Sequence, residues 1–184
     1  MKKVVIGVVI VLVVAAIIGA IVMFVGKGGN SNTQTGIKVQ TVEEMQEVFN
    51  TINTKLGEAL PGLEVREIEL TDEFAFSSTT GLKSNTNVEA VVVSEPFISA
   101  QAFSAVMIRV SDEANIEEMK KEILDNVDMR KWICVSAEKL RVTNYGNIIF
   151  FVMSDEQWGK PVYDEFKQTV GGKVGQELEK TGEM

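Results

Sequence analysis

The chain has 184 residues with 18 basic and 26 acidic side chains, a formal net charge of −8, 45% hydrophobic residues, one cysteine and no histidine. The missing histidine removes Ser-His-Asp and Cys-His catalysis, the usual zinc sites and the commonest general base, and a lone cysteine excludes an internal disulfide. The first 38 residues hold Lys2, Lys3, Lys27 and Lys38 and no acid, so the remainder carries 14 basic against 26 acidic side chains, a net of −12 that argues against capture of nucleic acid or an anionic lipid surface.

Behind Met1, Lys2 and Lys3, residues Val4 to Val25 form an unbroken apolar run. As a helix it reaches about 33 Å, enough for a hydrocarbon core of about 30 Å. The run is longer than a cleavable signal core, so residues 1–25 read as a cytoplasmic start and an uncleaved transmembrane anchor. Lys2 and Lys3 set the amino end in the cytoplasm and the rest outside. Release by cleavage after the run, through Gly26 and Gly28 as poor substitutes for small cleavage-site residues, gives the alternative of a secreted form. Residues 26–40, rich in Gly, Asn, Ser, Thr and Gln, read as a flexible linker.

The outer domain is expected over residues 41–170. Thr41 with Glu44 has capping-box spacing, and Val42, Met45, Val48, Phe49, Ile52 and Leu56 recur at helical spacing, predicting an amphipathic helix that Pro61 and Gly62 end. Leu63 to Leu70 reads as a strand, with a bulge at Arg66 and Glu67 to reconcile Leu63 and Val65 with the out-of-phase Ile68 and Leu70. Thr71 or Asp72 caps a short helical turn carrying Phe74 and Phe76, and Gly81 to Asn87 is a loop. Val88 to Ser94 predicts a strand stopping at Glu95-Pro96, and Gln101 to Val110 a central strand. Asn115 with Glu118 starts a helix through Ile116, Met119, Ile123 and Val127.

Lys131 to Val135 and Lys139 to Thr143 look extended, and Asn144 to Asn147 turn into Ile148 to Met153, an apolar run suited to the middle of a sheet. Ser154 with Gln157 precedes a helix carrying Trp158, Val162, Phe166 and Val170, with Pro161 early in it. Residues 171–184, Gly-rich and charged, read as a disordered tail. The predicted class is α+β: an N-terminal transmembrane helix, a flexible linker and a mostly antiparallel sheet with helices on one face, partly ferredoxin-like from Gln101 to Val170.

The turn at Leu70-Thr71-Asp72-Glu73, the Val91 to Pro96 strand, the Met107 to Asp112 strand leading into Ile116 to Ile123, and Gly146 to Ser154 together resemble uncharacterised extracytoplasmic domains. Those domains occur in lipoproteins and membrane-anchored proteins of Gram-positive, clostridial-type bacteria. The resemblance implies a location and a fold; it supplies no activity and no functional residues. The chain departs from many such relatives in lacking a lipoprotein cysteine after its apolar run.

Chemistry is sparse. Trp132-Ile133-Cys134-Val135 reads as a strand in which Cys134 is a small buried hydrophobe rather than a nucleophile. Glu64, Glu67 and Glu69, Asp72 with Glu73, and Asp155 with Glu156 are the carboxylates open to acid-base work, and they suit a solvated face better than a catalytic pair. No calcium-loop pattern and no phosphate cradle is present, so no metal, no cofactor and no catalytic residue is assigned. Arg130, Lys131, Trp132, Lys139, Arg141 and Tyr145 stand out against the acidic background as a candidate partner-binding patch, with Arg as fork donor and aromatic rings as platforms. The alternative is that Trp132 packs in the core while the cations offset nearby acids. The expectation is a non-catalytic binding or scaffolding module of a bacterial cell envelope, partnered by the membrane and by another envelope protein or a wall polymer. An envelope enzyme using carboxylates or a metal is the alternative.

Overall fold

The computed structural model describes residues 39–182, and its first helix follows directly from local chemistry. Thr41 and Glu44 close the capping box: the Glu44 N–H donates to Thr41 Oγ1 at 3.2 Å, and the Thr41 N–H donates to Glu44 Oε2 at 3.2 Å. Helix α1 (Val42–Leu56) runs from there with Met45, Val48, Phe49 and Ile52 as its buried stripe. After a 3-10 turn (Gly57–Ala59) come β1 (Leu63–Glu67), α2 (Glu73–Thr80), β2 (Val88–Pro96), β3 (Phe103–Val110) and α3 (Ile116–Asn126). The order closes with β4 (Lys139–Tyr145), β5 (Ile148–Ser154), α4 (Glu156–Thr169) and β6 (Leu178–Thr181).

The six strands form one sheet in the order β1-β2-β3-β5-β4-β6, and every neighbouring pair is antiparallel. Strand β5, buried at every position, sits between β3 and β4, as its continuous apolar sequence requires. Alternate residues of the central strands feed two separate cores. Val91, Val93, Val106, Ile108, Ile149 and Phe151 meet Phe76 of α2 and Ile123 of α3 on one face. Val92, Ala105, Met107, Ile148 and Phe150 meet Phe49 of α1 and Phe166 of α4 on the other, where the Phe150 and Phe166 rings stack at 3.9 Å.

The described residues therefore form a three-layer α+β sandwich, which corrects the expectation of helices on one face. The reason lies in the crossovers. The connection β3-α3-β4 leaves β5 between its strands, and β5-α4-β6 leaves β4 between its own. Both crossovers advance in the same direction across the sheet, but they start from strands of opposite sense. Two crossovers of the same hand then place their helices on opposite faces. The ferredoxin-like expectation is met in the order of elements from β3 to β6 and corrected in the topology, because β6 pairs with β4 at the edge and not beside β3.

Two covered faces also explain β1. Its register with β2 is unbroken from Leu63 opposite Pro96 to Glu67 opposite Val92, and the Ile68 N–H donates to the Val91 carbonyl at 2.9 Å. There is no bulge at Arg66 and Glu67. Leu63 and Val65 pack into one core, while Ile68 and Leu70 pack into the other. The register irregularity falls instead between Val88 and Ala90.

Two further expectations are corrected. Residues 131–135 form a loop, in which Cys134 is exposed with φ of +60°. The tail is not disordered through its described part: Leu178 pairs with Val142 and Lys180 with Leu140 as β6. The segment before β6 is held by Lys120, a fully buried side chain of α3. Its ammonium donates to Asn144 Oδ1 at 2.9 Å and to the Gln176 carbonyl at 2.8 Å, and pairs with Glu117 Oε1 at 2.8 Å. Among the described residues no helix is long and apolar enough to cross a membrane. The Val4 to Val25 run and the linker as far as Lys38 lie outside the described residues.

Candidate functional site

A wide opening lies at the Pro96 end of β2, a cleft of about 720 Å³ walled by α2, the β2-β3 connection and the loop after α3. Each wall has a local cause. Asp72 caps α2 by accepting from the Ala75 N–H at 2.9 Å. Phe76 points into the core at 3% exposure, so Phe74, two residues and about 200° away on the helix, points out at 81% exposure. Gly81 ends α2 in the left-handed region at φ of +74°, close against the Val127 backbone.

Pro96 ends β2 and leaves Phe97 and Ile98 in the connection, 74% and 60% exposed. The loop after α3 is anchored by buried Val127, Met129 and Ala137, with the Ala137 N–H donating to the Met129 carbonyl at 2.8 Å. Its outer part is tied to the β2-β3 connection by the Ile133 N–H donating to the Ser99 carbonyl at 3.1 Å, and the Ile133 side chain is 68% exposed. Four large apolar side chains from three segments thus stand in water around one end of the sheet.

The cleft floor is charged and internally paired. Glu95 accepts from Lys131 Nζ at 2.6 Å and from Ser104 Oγ at 2.9 Å through Oε1, and from Arg66 Nη2 at 3.0 Å through Oε2. Burial pushes the Glu95 carboxyl up, but the charge and hydrogen bond of Lys131, the Ser104 hydroxyl and the Arg66 charge together outweigh it and hold the group below the usual carboxylate range. The Lys131 ammonium also lies 5.5 Å from the centre of the half-buried Trp132 ring. Arg66, Glu95, Asp128 and Lys131 line the cleft with two charges of each sign.

The six residues of the sequence-derived patch do not share one surface. Arg130, Lys131 and Trp132 belong to the loop at the cleft, and of these Lys131 and Trp132 line it. Lys139, Arg141 and Tyr145 lie on β4, alternating with Leu140 and Val142 and so on the opposite face of the sheet. There Arg141 Nη2 donates to both oxygens of Glu156 at 2.7 Å, and Lys139 lies 3.5 Å from Glu156 and from Glu179. The hydrogen bond from Arg141 is the main cause that lowers the Glu156 carboxyl. Tyr145 packs against the core of that face.

The carboxylates weighed for acid-base work are dispersed. Asp72 is spent on the α2 cap and Glu156 on Arg141. Of these carboxylates Asp155 alone is raised, by burial and then by the Glu138 charge. Among the described residues no cluster of three or more His, Cys, Asp or Glu is placed to hold a metal ion.

The sequence reading gave Phe74, Phe97, Ile98 and Ile133 no binding role. A signal for one pair existed: Phe97-Ile98 directly follows the strand-ending Pro96, where no regular element remains to bury it. Fold and site together define the class, a three-layer α+β domain with an apolar-rimmed cleft at one end. The chain matches no family model, no curated protein and no solved structure.

Proposed function

We propose that the protein is a single-pass, membrane-anchored extracytoplasmic protein, amino end in the cytoplasm and acidic domain outside. It serves as a non-catalytic binding or scaffolding module of a bacterial cell envelope of the Gram-positive type. The length of Val4 to Val25 and the lysines before it support the anchor and its direction. The absence of histidine supports a binding role over catalysis. The observation that carries the binding reading is the exposure of Phe74, Phe97 and Ile98 in the lining of the Glu95 cleft, with exposed Ile133 tied beside it through Ser99, since exposed apolar surface marks interaction sites. Of the sequence-derived residues, Lys131 and Trp132 line this surface and Arg130 precedes them in the same loop, while Lys139 and Arg141 tie Glu156 of α4 and Glu179 of β6 to the sheet and Tyr145 packs against the core.

A photo-crosslinking amino acid in place of Phe97, used on intact cells, tests the reading. The expected result is a discrete adduct that weakens at least tenfold when Phe74→Asp is added. Absence of any adduct, or turnover of wall fragments by the purified full chain, would count against a binding module.

A further inference from the structure

We infer that the occupant of this cleft is a second copy of the same chain, so that the module scaffolds by pairing with itself through a two-fold interface. The inference rests on the reading of the cleft as the partner-contacting surface and names the partner. Three observations favour self-association. Phe74, Phe97, Ile98 and Ile133, exposed by 60–81%, offer on the order of 500 Å² of apolar side chain. With their polar rim that approaches the roughly 800 Å² per partner of a standard interface.

Charge supplies the second argument. Residues beyond Lys38 carry a net of −12, so two copies repel across most of their surfaces. Among the residues lining the cleft Arg66 and Lys131 balance Glu95 and Asp128, so their net charge is zero where the rest of the domain is acidic. The third is symmetry: an isologous interface sets each group against the two-fold mate of its neighbours. A rim that carries both signs together, with Arg66 46% exposed and Asp128 exposed, can meet its own copy without placing like against like.

Cys134 is the chain's one cysteine and is exposed in the same loop as Ile133, so it reports on proximity without any engineered site. Full-length protein in intact cells is treated with a short bis-maleimide, and its mass in detergent is measured by sedimentation. The expected result is a Cys134-dependent species of twice the chain mass. It should fall at least tenfold in Phe97→Asp and in Phe74→Asp, with thermal unfolding unchanged because both side chains are exposed. Ala15→Leu with Gly19→Leu, which would block close approach of the apolar N-terminal runs, should leave the species in place.

A chain that sediments as a monomer with no crosslinked pair overturns the inference. If such a monomer still gives a Phe97 photo-adduct with a different envelope protein, the binding reading survives and the second copy is excluded. If it gives none, both fail. A Phe97-dependent blue shift of a fluorophore on Cys134, on adding phosphatidylglycerol vesicles to the monomer, would assign the face to lipid and likewise overturn the inference.

Discussion

Lys120 shows how one side chain can decide whether a segment belongs to a fold. Its ammonium is fully buried and spends its three donors on Asn144, the Gln176 carbonyl and Glu117. Lys120→Met keeps most of the volume but leaves the Asn144 and Gln176 acceptors unpaired, so it should cost about 1–3 kcal/mol in urea unfolding. Lys121→Met, at an exposed neighbouring position, should stay within about 0.5 kcal/mol. Two acids carry opposite signs of pH dependence. The Glu95 carboxyl is lowered in the fold, so its stabilisation is present above the unfolded value of about 4.3 and is lost as pH falls through the lower folded value. Glu95→Gln should therefore lower stability at neutral pH by about 1–2 kcal/mol and flatten the loss between about pH 5 and 3. Asp155 is raised, which destabilises the fold while the group is charged and ceases to matter below an unfolded value of about 3.9. Asp155→Asn, still a good N-cap residue for α4, should gain about 0.5 kcal/mol or less at pH 7, with the gain fading toward pH 3 in a melting series.

At the scale of elements, β6 depends on a close approach more than on its own sequence. A Cβ at Gly175 would collide with the Asn144 side chain, the group that accepts from Lys120, and the Gly175 N–H donates to the Asn144 carbonyl at 2.7 Å. Gly175→Ala should release β6 locally: hydrogen-exchange protection over Leu178–Thr181 should drop while that of β5 persists. Equal loss in both strands would show that β6 and the central sheet unfold together. The same strand marks what the sequence could not disclose. Gly-rich charged composition describes how a segment behaves alone, whereas β6 is ordered by partners far away in the chain, with Leu178 opposite Val142 and Lys180 donating to the Leu124 carbonyl at 3.2 Å. Helices α1 and α3 were legible because their signals are local, Thr41 with Glu44 and Asn115 with Glu118. The β5 run announced a central strand for the same reason. The number of covered faces was written in Leu63 and Val65 against Ile68 and Leu70, but that phase change reads as a bulge until both faces are known to hold helices. Residues 131–135 misled because β-branched and aromatic content mimics a strand, while Cys134 adopts a positive φ that no strand tolerates. Of the site, the sequence showed the cations Arg130 and Lys131 and the ring of Trp132. It hid the exposed apolar rim, since exposure is a property of packing that periodicity reports only within regular elements.

For the whole molecule, the proposed anchor raises the question of which side of a membrane the domain would occupy, and the fold supplies its own probe. Cys134 is the chain's one cysteine, and it is exposed in a loop rather than buried in a strand. A membrane-impermeant maleimide should reach it without unfolding the domain. If Lys2 and Lys3 hold the amino end in the cytoplasm, the domain lies outside, and the reagent added to intact cells should label the full-length chain to the same extent as in lysed cells. Labelling that appears only after lysis would place the domain inside and overturn the orientation. A labelled chain found in the medium, shortened by about 28 residues, would replace the anchor with a cleaved signal, which is normally shorter than this run. Glu for Lys2 and Lys3, with several lysines added after Val25, should reverse the outcome by moving the positive flank. Intact-cell labelling should then fall while lysate labelling stays constant, because inversion changes access to Cys134 and leaves the domain's own packing untouched.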